Sequence, residues 1–373
     1  MPLYKVLNPK ICNVRTSDPR KHLIMPELVQ VKAAGEKEIP RFTQPSSILK
    51  QIHNFLHSQP TAAPMVVFLT AILVFSIIVG NRFFHPFNLS LILQQVTIIS
   101  ILGIAQTLII LTAGIDLSVG AIMVLSSVVM GRMAVDFGMP APLAIMTGIT
   151  VGAMAGGING VLITRFKLPP FIATLGSWSI FWALNLWYSK SETIRSQDLN
   201  AAAPLLKWTG LSFNFWGARL TYGSIIMILV FALVWYALNH TAWGKHVYAT
   251  GDNQETAQLV GIATGRILFS VYVLAGIICA IGAWVLIGRL GSVTPIAGQT
   301  ANLDSITAVV IGGTSLFGGR GSIVGTLIGA LIVGVFRNGL ALAGIDVLWQ
   351  EFTVGLLIII AVAIDQWIRK VRS

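Results

Sequence analysis

The residue types that carry out chemistry in enzymes are present in this chain, but their spacing does not suit catalysis. Six histidines occur among the 373 residues: His22, His53, His57, His85, His240 and His246. None forms a His-x-x-x-His pair in an apolar run or stands beside a serine or cysteine nucleophile, and no two carboxylates share such a run. Cys12 and Cys279 are far apart in polar and apolar surroundings, which favours neither a disulfide nor a metal site. We therefore expect no enzyme activity and no bound cofactor.

Asp116 interrupts an apolar stretch, LTAGIDLSVGAI, at residues 111–122. A carboxylate at the centre of a membrane costs about 2.5–3.5 kcal/mol on insertion scales. The cost is avoided if Asp116 caps the next helix by accepting hydrogen bonds from the backbone N–H groups of Ser118 or Val119. The alternative interpretation is that the carboxylate lines a central transport path, and the two are compatible.

A second break, at residues 288–325, contains nine glycines and Pro295. Broken helices are tolerated in membranes only where protein or water satisfies the backbone, and they often border transport paths. We place Pro295 and Gln299 in an outer loop and expect Asp304 to open the next helix. The run GGTSLFGGRGS fails the phosphate-binding loop pattern because Gly319 takes the lysine position. We interpret it as a glycine-rich cytoplasmic turn that does not bind nucleotide.

The segment 240–265 contains a helix-start signal outside the apolar runs. Asp252 followed by Glu255 is an Asp-led capping-box pattern. It predicts a short helix over Asn253–Val260 that stops at Gly261. Such a helix is about 12 Å long at 1.5 Å per residue, too short to span a membrane. It suits the docking of a soluble partner, and a plain connecting loop is the alternative.

The composition predicts a membrane protein. Apolar residues make up 55% of the chain and charged residues 10%, against about 25% charged residues in typical soluble domains. A spanning helix needs about 20 mostly apolar residues. Ten such runs occur, at about 62–80, 89–112, 118–137, 141–163, 171–189, 220–239, 266–288, 302–317, 322–343 and 347–364. The sequence therefore predicts an all-α polytopic membrane protein with about ten transmembrane helices and glycine-rich breaks, and eight or nine spans are the alternative.

Two series of glycines recur every four residues, which places each series on one helix face. The first consists of Gly148, Gly152, Gly156 and Gly160, and the second of Gly321, Gly325 and Gly329. Small residues at this spacing allow membrane helices to approach closely. We interpret both series as packing surfaces.

The net charge of +11 is interpreted as a topology signal. With ten spans, 17 of the 25 Lys and Arg residues fall on the side that holds both termini, which places the termini in the cytoplasm. A nucleic-acid partner is then not expected. We divide the chain into a loose cytoplasmic tail at 1–61 with a short amphipathic helix near Ser46–Leu56, a transmembrane domain at 62–366 and a cytoplasmic C-terminal tail at 367–373. No secretory signal peptide is expected.

Several long motifs occur in the order found in one family of transporters. They are LTAGIDLSVGAI at 111–122, FIATLGS at 171–177, YATGDNQETAQLVGI at 248–262 and SITAVVIGGTSLFGGRGSIVGTLIGALIVGVFRNGL at 305–340. Over about residues 60–370 the chain resembles the membrane-spanning permease subunits of bacterial ATP-binding-cassette importers of monosaccharides, the ribose, xylose and fructose group. AVAIDQWIRKV at 361–371 and the loop 280–299 are most similar to the fructose type. The chain departs from the family in having Asp252 where a second glycine is common, and in its longer N-terminal tail.

The resemblance implies a type II importer-like complex. Two permease subunits, expected to form a homodimer within the lipid, would assemble with a cytoplasmic cassette ATPase, which uses the ATP, and with a periplasmic sugar-binding protein. The loop that couples to the ATPase would contain Gly251, Asn253, Glu255, Ala257 and Gly261. Candidates to line the path of an uncharged sugar are Asp116, Ser118, Asn302, Asp304 and Thr314.

Two other functional classes are the alternatives. An ion-coupled secondary sugar transporter needs carboxylates buried in mid-span, for which only Asp116 and Asp304 are candidates. A scaffolding membrane protein is disfavoured by the glycine-rich broken spans and by the capped cytoplasmic helix.

Overall fold

The computed structural model describes residues 62–215 and 217–370, and most of them are helical. The helices are α1 (Ala62–Val79), α2 (Pro86–Leu111), α3 (Val119–Val135), α4 (Ala141–Thr164), α5 (Pro170–Ser189), α6 (Ser196–Ala202), α7 (Tyr222–His240), α8 (Ala242–Asp252), α9 (Gln254–Leu259), α10 (Thr264–Leu290), α11 (Ala301–Ile311), α12 (Ile323–Leu342) and α13 (Val347–Lys370). Two 3₁₀ segments, Gly80–Arg82 and Pro204–Gly210, and the strands β1 (Ser212–Phe215) and β2 (Ala218–Thr221) complete this part of the chain. The expectations for residues 1–61, including the helix near 46–56 and Cys12, lie outside the described residues, as do 371–373.

The prediction of a mostly helical polytopic membrane protein is confirmed. Each of the ten apolar runs overlaps a helix, and six of the described helices are long and apolar enough to cross a membrane by length and composition. Three shorter apolar stretches, Val119–Val135, Ala301–Ile311 and Val347–Ile360, accompany them. The number of spans therefore stays a prediction.

The helix predicted at 302–317 is longer than the helix observed there. Helix α11 ends at Ile311, and residues 312–322 form a turn in which Gly313, Gly318 and Gly319 have positive φ. At 1.5 Å per residue, the 11 residues of α11 are about 16 Å long. This is only about half the thickness of a bilayer core, so α11 is a half-helix.

Helix α10 is central in the described chain and packs against α4, α2 and α3. The glycines of α4 face it: a Cβ at Gly152 would overlap the Gly276 carbonyl oxygen, and one at Gly156 would overlap that of Tyr272. Gly148 instead faces Met130 and the Ser126 backbone of α3. The first glycine series is thus a packing surface, as predicted.

The second glycine series packs α12 against α11, with one exception. A Cβ at Gly329 would overlap the Ala308 carbonyl oxygen, and one at Gly312 would overlap that of Gly325. Gly321 precedes α12, which begins at Ile323, and the space beside it is taken by Thr314. Assigning Gly321 to the helical series was wrong, because the chain is still in the turn there.

The segment 190–221 is more structured than the long loop predicted from the sequence. It contains α6, a 3₁₀ segment and an antiparallel hairpin in which Ser212 pairs with Thr221 and Phe215 with Ala218. An isolated bridge joins Ile194 to Val293, beyond the end of α10. The segment is therefore held against the ends of the membrane helices.

Candidate functional site

Asp116 is buried in the non-helical link between α2 and α3. Its side chain is 1% exposed, and Oδ1 accepts hydrogen bonds from the backbone N–H and the hydroxyl of Ser118, both at 2.6 Å. The amide of Asn159 on α4 donates to Ser118 Oγ at 2.8 Å and to Asp116 Oδ2 at 3.4 Å. The expected bond from the Ser118 N–H is present. The capping position was wrong, because Ser118 itself is the N-cap of α3 and Asp116 lies two residues earlier in an Asx-type turn.

Asn302 connects this link to the half-helix α11. Its Oδ1 accepts from the Gly120 N–H, and its Nδ2 donates to the Leu117 carbonyl oxygen, both at 2.5 Å. A Cβ at Gly120 would collide with the Asn302 side chain, so this close approach requires glycine. The structure thus brings Asp116, Ser118 and Asn302 together, although Asn302 is 182 residues from Gly120 in the sequence.

Asp304 opens α11 as expected, in its first turn. Its Oδ1 accepts from Arg337 on α12 at 2.7 Å, and Thr300 donates to its Oδ2 at 3.3 Å. Arg337 also binds Glu351 on α13 through two nitrogens, at 2.8 and 3.1 Å. Asp304 therefore has a cationic partner, and the Arg337 guanidinium on α12 joins α11 to α13.

Thr314 lies at the other end of α11. It is 2% exposed, and its N–H donates to the Val309 carbonyl oxygen at 3.2 Å. Its buried hydroxyl has no hydrogen-bond partner among the described residues. Asp304 and Thr314 are thus at opposite ends of the half-helix.

The segment 240–265 consists of two short helices rather than one. Helix α8 runs to Asp252, and Asn253 Oδ1 accepts from the Thr256 N–H at 2.8 Å to cap α9. The capping residue is therefore Asn253, one position later than predicted, because α8 occupies Asp252. The predicted stop is present: Gly261 has a φ of 89°.

The proposed coupling residues differ in exposure. Glu255 is exposed on α9, whereas Ala257 and Gly251 are buried. Sequence reasoning missed two apolar side chains at the end of α9, Leu259 at 88% and Val260 at 72% exposed. Outside the apolar runs, a leucine–valine pair after a polar helix is a signal that could have identified them.

Tyr248 on α8 is a further residue that the sequence did not single out. Its hydroxyl donates to the Gly321 carbonyl oxygen at 3.1 Å. Burial raises the pKa of this phenol above its ordinary value, so the hydroxyl keeps its proton and remains a donor. The bond ties α8 to the glycine-rich turn before α12.

A comparison with protein families assigns the chain. The model of the family described as "Branched-chain amino acid transport system / permease component" matches residues 88–362. The chain belongs to this family of permease components. It is therefore a multi-pass membrane transport protein, and the relatives described next confirm the resemblance to sugar permeases that was based on its motifs.

Curated relatives are named as sugar permeases. The chain is 55% identical over 348 residues to the fructose import permease protein of Rhizobium meliloti, covering 93% of this chain and 97% of the relative. It is 40% identical to the ribose import permease protein of Bacillus subtilis, over 78% and 88% of the two chains. It is 33% identical to the D-allose transport system permease protein of Escherichia coli, over 81% and 91%. No solved structure matches the chain significantly.

Proposed function

We propose that the chain is the membrane-spanning subunit of an ATP-driven monosaccharide importer in the bacterial inner membrane. The observation that carries this proposal is the 55% identity to a fructose import permease along nearly the whole of both chains. The relatives do not favour the alternative of an ion-coupled secondary transporter. Of the two candidate ion-coupling carboxylates, Asp304 also speaks against it, because its charge is paired with Arg337.

The proposal includes a topology in which both termini lie in the cytoplasm. Most contacts between loops support this ten-span topology, since segments assigned to one side of the membrane meet one another; the exception is Asn302, which follows the outer loop and reaches the α2–α3 link. The inner segments 112–117, 240–265 and 312–322 meet through Gly319, whose N–H donates to Leu111, and through Tyr248. On the outer side, Arg132 at the end of α3 binds Glu192 at 3.2 Å, and Ile194 pairs with Val293.

The coupling surface for a cytoplasmic cassette ATPase is α9 with its following turn, residues 253–261. It offers the exposed Glu255 beside the exposed apolar pair Leu259 and Val260. A buried apolar anchor surrounded by polar contacts is typical of interface hot spots. ATP is bound and hydrolysed by that partner, and this chain holds no cofactor.

The sugar path passes the two broken elements, the α2–α3 link and α11. Asp116, Ser118 and Asn302 fix the backbone there, and Asp304 and Thr314 mark the two ends of α11. Their contacts indicate that they hold the breaks in place, so that polar backbone groups are available to a neutral sugar. A second copy of the chain and a periplasmic sugar-binding protein complete the assembly.

Uptake measurements in cells test the proposed substrate class. In a bacterial host that lacks its own fructose and ribose importers, the complete transporter containing this chain is expected to accumulate labelled fructose. Labelled ribose and an amino acid such as leucine serve as comparisons. Accumulation of leucine without any sugar would contradict the proposal.

Substitutions at the end of α9 test the coupling surface. Replacing Leu259 and Val260 together by serine removes the exposed apolar anchor and is expected to abolish co-purification with the ATPase. Leu211→Ser, at an exposed leucine in the segment 190–221, is the control and should leave the ATPase bound. Retention of the ATPase by the double variant would remove α9 as the docking element.

A further inference from the structure

Three separate stretches of backbone meet where α8 ends, and we call them the backbone joint. They are Leu111–Ala113 after α2, Gly251–Asp252 at the end of α8, and Gly318–Gly321 before α12. The Gly319 N–H donates to the Leu111 carbonyl oxygen at 3.0 Å. A Cβ at Gly251 would overlap that oxygen and lie 2.8 Å from the Gly319 nitrogen. The first two stretches therefore touch through main-chain atoms.

The third stretch approaches the other two just as closely. A Cβ at Gly318 would lie 2.6 Å from the Gly251 oxygen and 2.7 Å from the Ala113 nitrogen. A Cβ at Gly319 would lie 2.7 Å from the Asp252 Cα. Gly318 and Gly319 also have φ values of 83° and 69°, which favour glycine. Neither the space nor the backbone conformation accommodates a side chain here.

The joint connects the cytoplasmic helix pair to both broken elements of the membrane region. Leu111–Ala113 leads into the link that contains Asp116, and Gly318–Gly321 follows α11 and leads into α12. The α2–α3 link and α11 also meet through Asn302 of α11, which forms hydrogen bonds with Leu117 and Gly120. Helix α9, by contrast, packs mainly on α8 and α10. A displacement of α9 can therefore reach the two breaks through α8 and the joint, besides the route through α10.

Main-chain contacts transmit displacement differently from side-chain contacts. A side chain can change rotamer and absorb a shift of an ångström or more, whereas two backbones in contact must move together or separate. Tyr248 lies one helical turn before Gly251 in α8. Its hydrogen bond to Gly321 further restricts movement of α8 relative to the turn before α12.

We propose that Gly251 is a positioning residue for transport, because the backbone joint makes α8, the α2–α3 link and the turn before α12 move as one body. The inference rests on the proposed function, in which the ATPase displaces α9. The glycine does not bind the sugar or the ATPase. It converts movement of the coupling helices into movement of the breaks along the path.

The test uses the complete transporter reconstituted in liposomes with its ATPase and binding protein. Gly251→Ala is compared with Gly265→Ala, a matched control at the start of α10, where a Cβ would meet no atom within 4 Å. ATPase co-purification, ATP hydrolysis and labelled fructose uptake are measured on the same preparations. Gly251→Ala should keep the ATPase bound, while sugar transported per ATP falls at least about fivefold, the lower end of typical couplings between sites. Gly265→Ala should retain the wild-type ratio.

Tyr248→Phe is the second variant, since it removes only a hydroxyl and tests the joint even if Gly251→Ala fails to fold. Loss of its hydrogen bond should lower the sugar-to-ATP ratio by roughly two- to tenfold, the net value of one such bond. A wild-type ratio in Tyr248→Phe and in any folded Gly251→Ala would overturn the inference, as would loss of the ATPase from a folded Gly251→Ala. If the wild-type complex itself transports no sugar with ATP, the proposed function fails instead.

Discussion

At the scale of single residues, Asn302 is the side chain that holds two distant breaks together. Asn302→Ala leaves the Leu117 carbonyl and the Gly120 N–H without their partners, and an unmet buried polar group costs about 1–3 kcal/mol. We expect a lower unfolding temperature in detergent and weaker sugar uptake. Ser305→Ala, which removes only a hydroxyl bonded to its own helix, is the control. Equal unfolding temperatures for the two variants would contradict this role for Asn302.

Arg337 provides a second prediction at this scale, because its two carboxylate partners differ in burial. The Asp304 side chain is 10% exposed and that of Glu351 42%. Arg337→Gln leaves the nearly buried Asp304 carboxylate without a cationic partner. Breaking a fully buried pair lowers the free energy of unfolding by roughly 3–5 kcal/mol. The loss here should be smaller, because Arg337 is itself 21% exposed. Glu351→Gln breaks only an exposed ion pair, worth up to about 1 kcal/mol. Thermal unfolding should rank Arg337→Gln as clearly the more damaging, and the reverse order would refute the account.

At the scale of elements, the contact between α4 and α10 depends on glycines at defined positions. A Cβ at Gly156 would overlap the Tyr272 carbonyl oxygen. A Cβ at the adjacent Gly157 would lie 3.6 Å from the Val273 side chain, which is an ordinary van der Waals distance. Gly156→Ala should therefore force the helices apart and cost about 1–3 kcal/mol. Gly157→Ala should be neutral or slightly stabilising, since alanine is the better helix former. Unfolding in detergent measures both, and equal effects would argue against this packing.

The sequence predicts the helices of this fold better than it predicts their connections. Apolar runs locate all ten apolar helices because lipid exposure and burial both select apolar side chains. The end of α11 was missed because the residues after Ile311 are still partly apolar, and only the positive φ of glycines such as Gly313 ends the helix. The cap at Asn253 was placed one residue early because α8 was not recognised. Local patterns decide which residues form a helix, and neighbouring elements decide where it ends.

The candidate site was predicted in its residue types but not in its geometry. Asp116 and Asn302 were selected because polar groups in apolar runs are costly and therefore have a purpose. Their proximity could not be derived, since it depends on how α11 packs beside the α2–α3 link. Arg337 was counted only among the charges on the side opposite the termini, because its partners Asp304 and Glu351 lie on other helices.

At the scale of the whole molecule, the account describes a membrane subunit whose coupling helices and path are parts of one connected framework. The inner segments meet at the backbone joint, and the two breaks meet again at Asn302. Relatives of the chain are named as sugar import permeases, and we propose that a separate ATPase subunit supplies the energy for transport. That assignment is the central claim.

The measurement that tests this claim most directly is sugar uptake by liposomes that contain the assembly purified from its native membrane through a tag on this chain. Labelled fructose is supplied with the binding protein, and either ATP or an imposed proton gradient is the only energy source. The account predicts a cassette ATPase in the purified assembly and uptake that requires ATP hydrolysis and is unaffected when the proton gradient is dissipated. Recovery of the chain alone, with uptake that follows the proton gradient and needs no ATP, would contradict it.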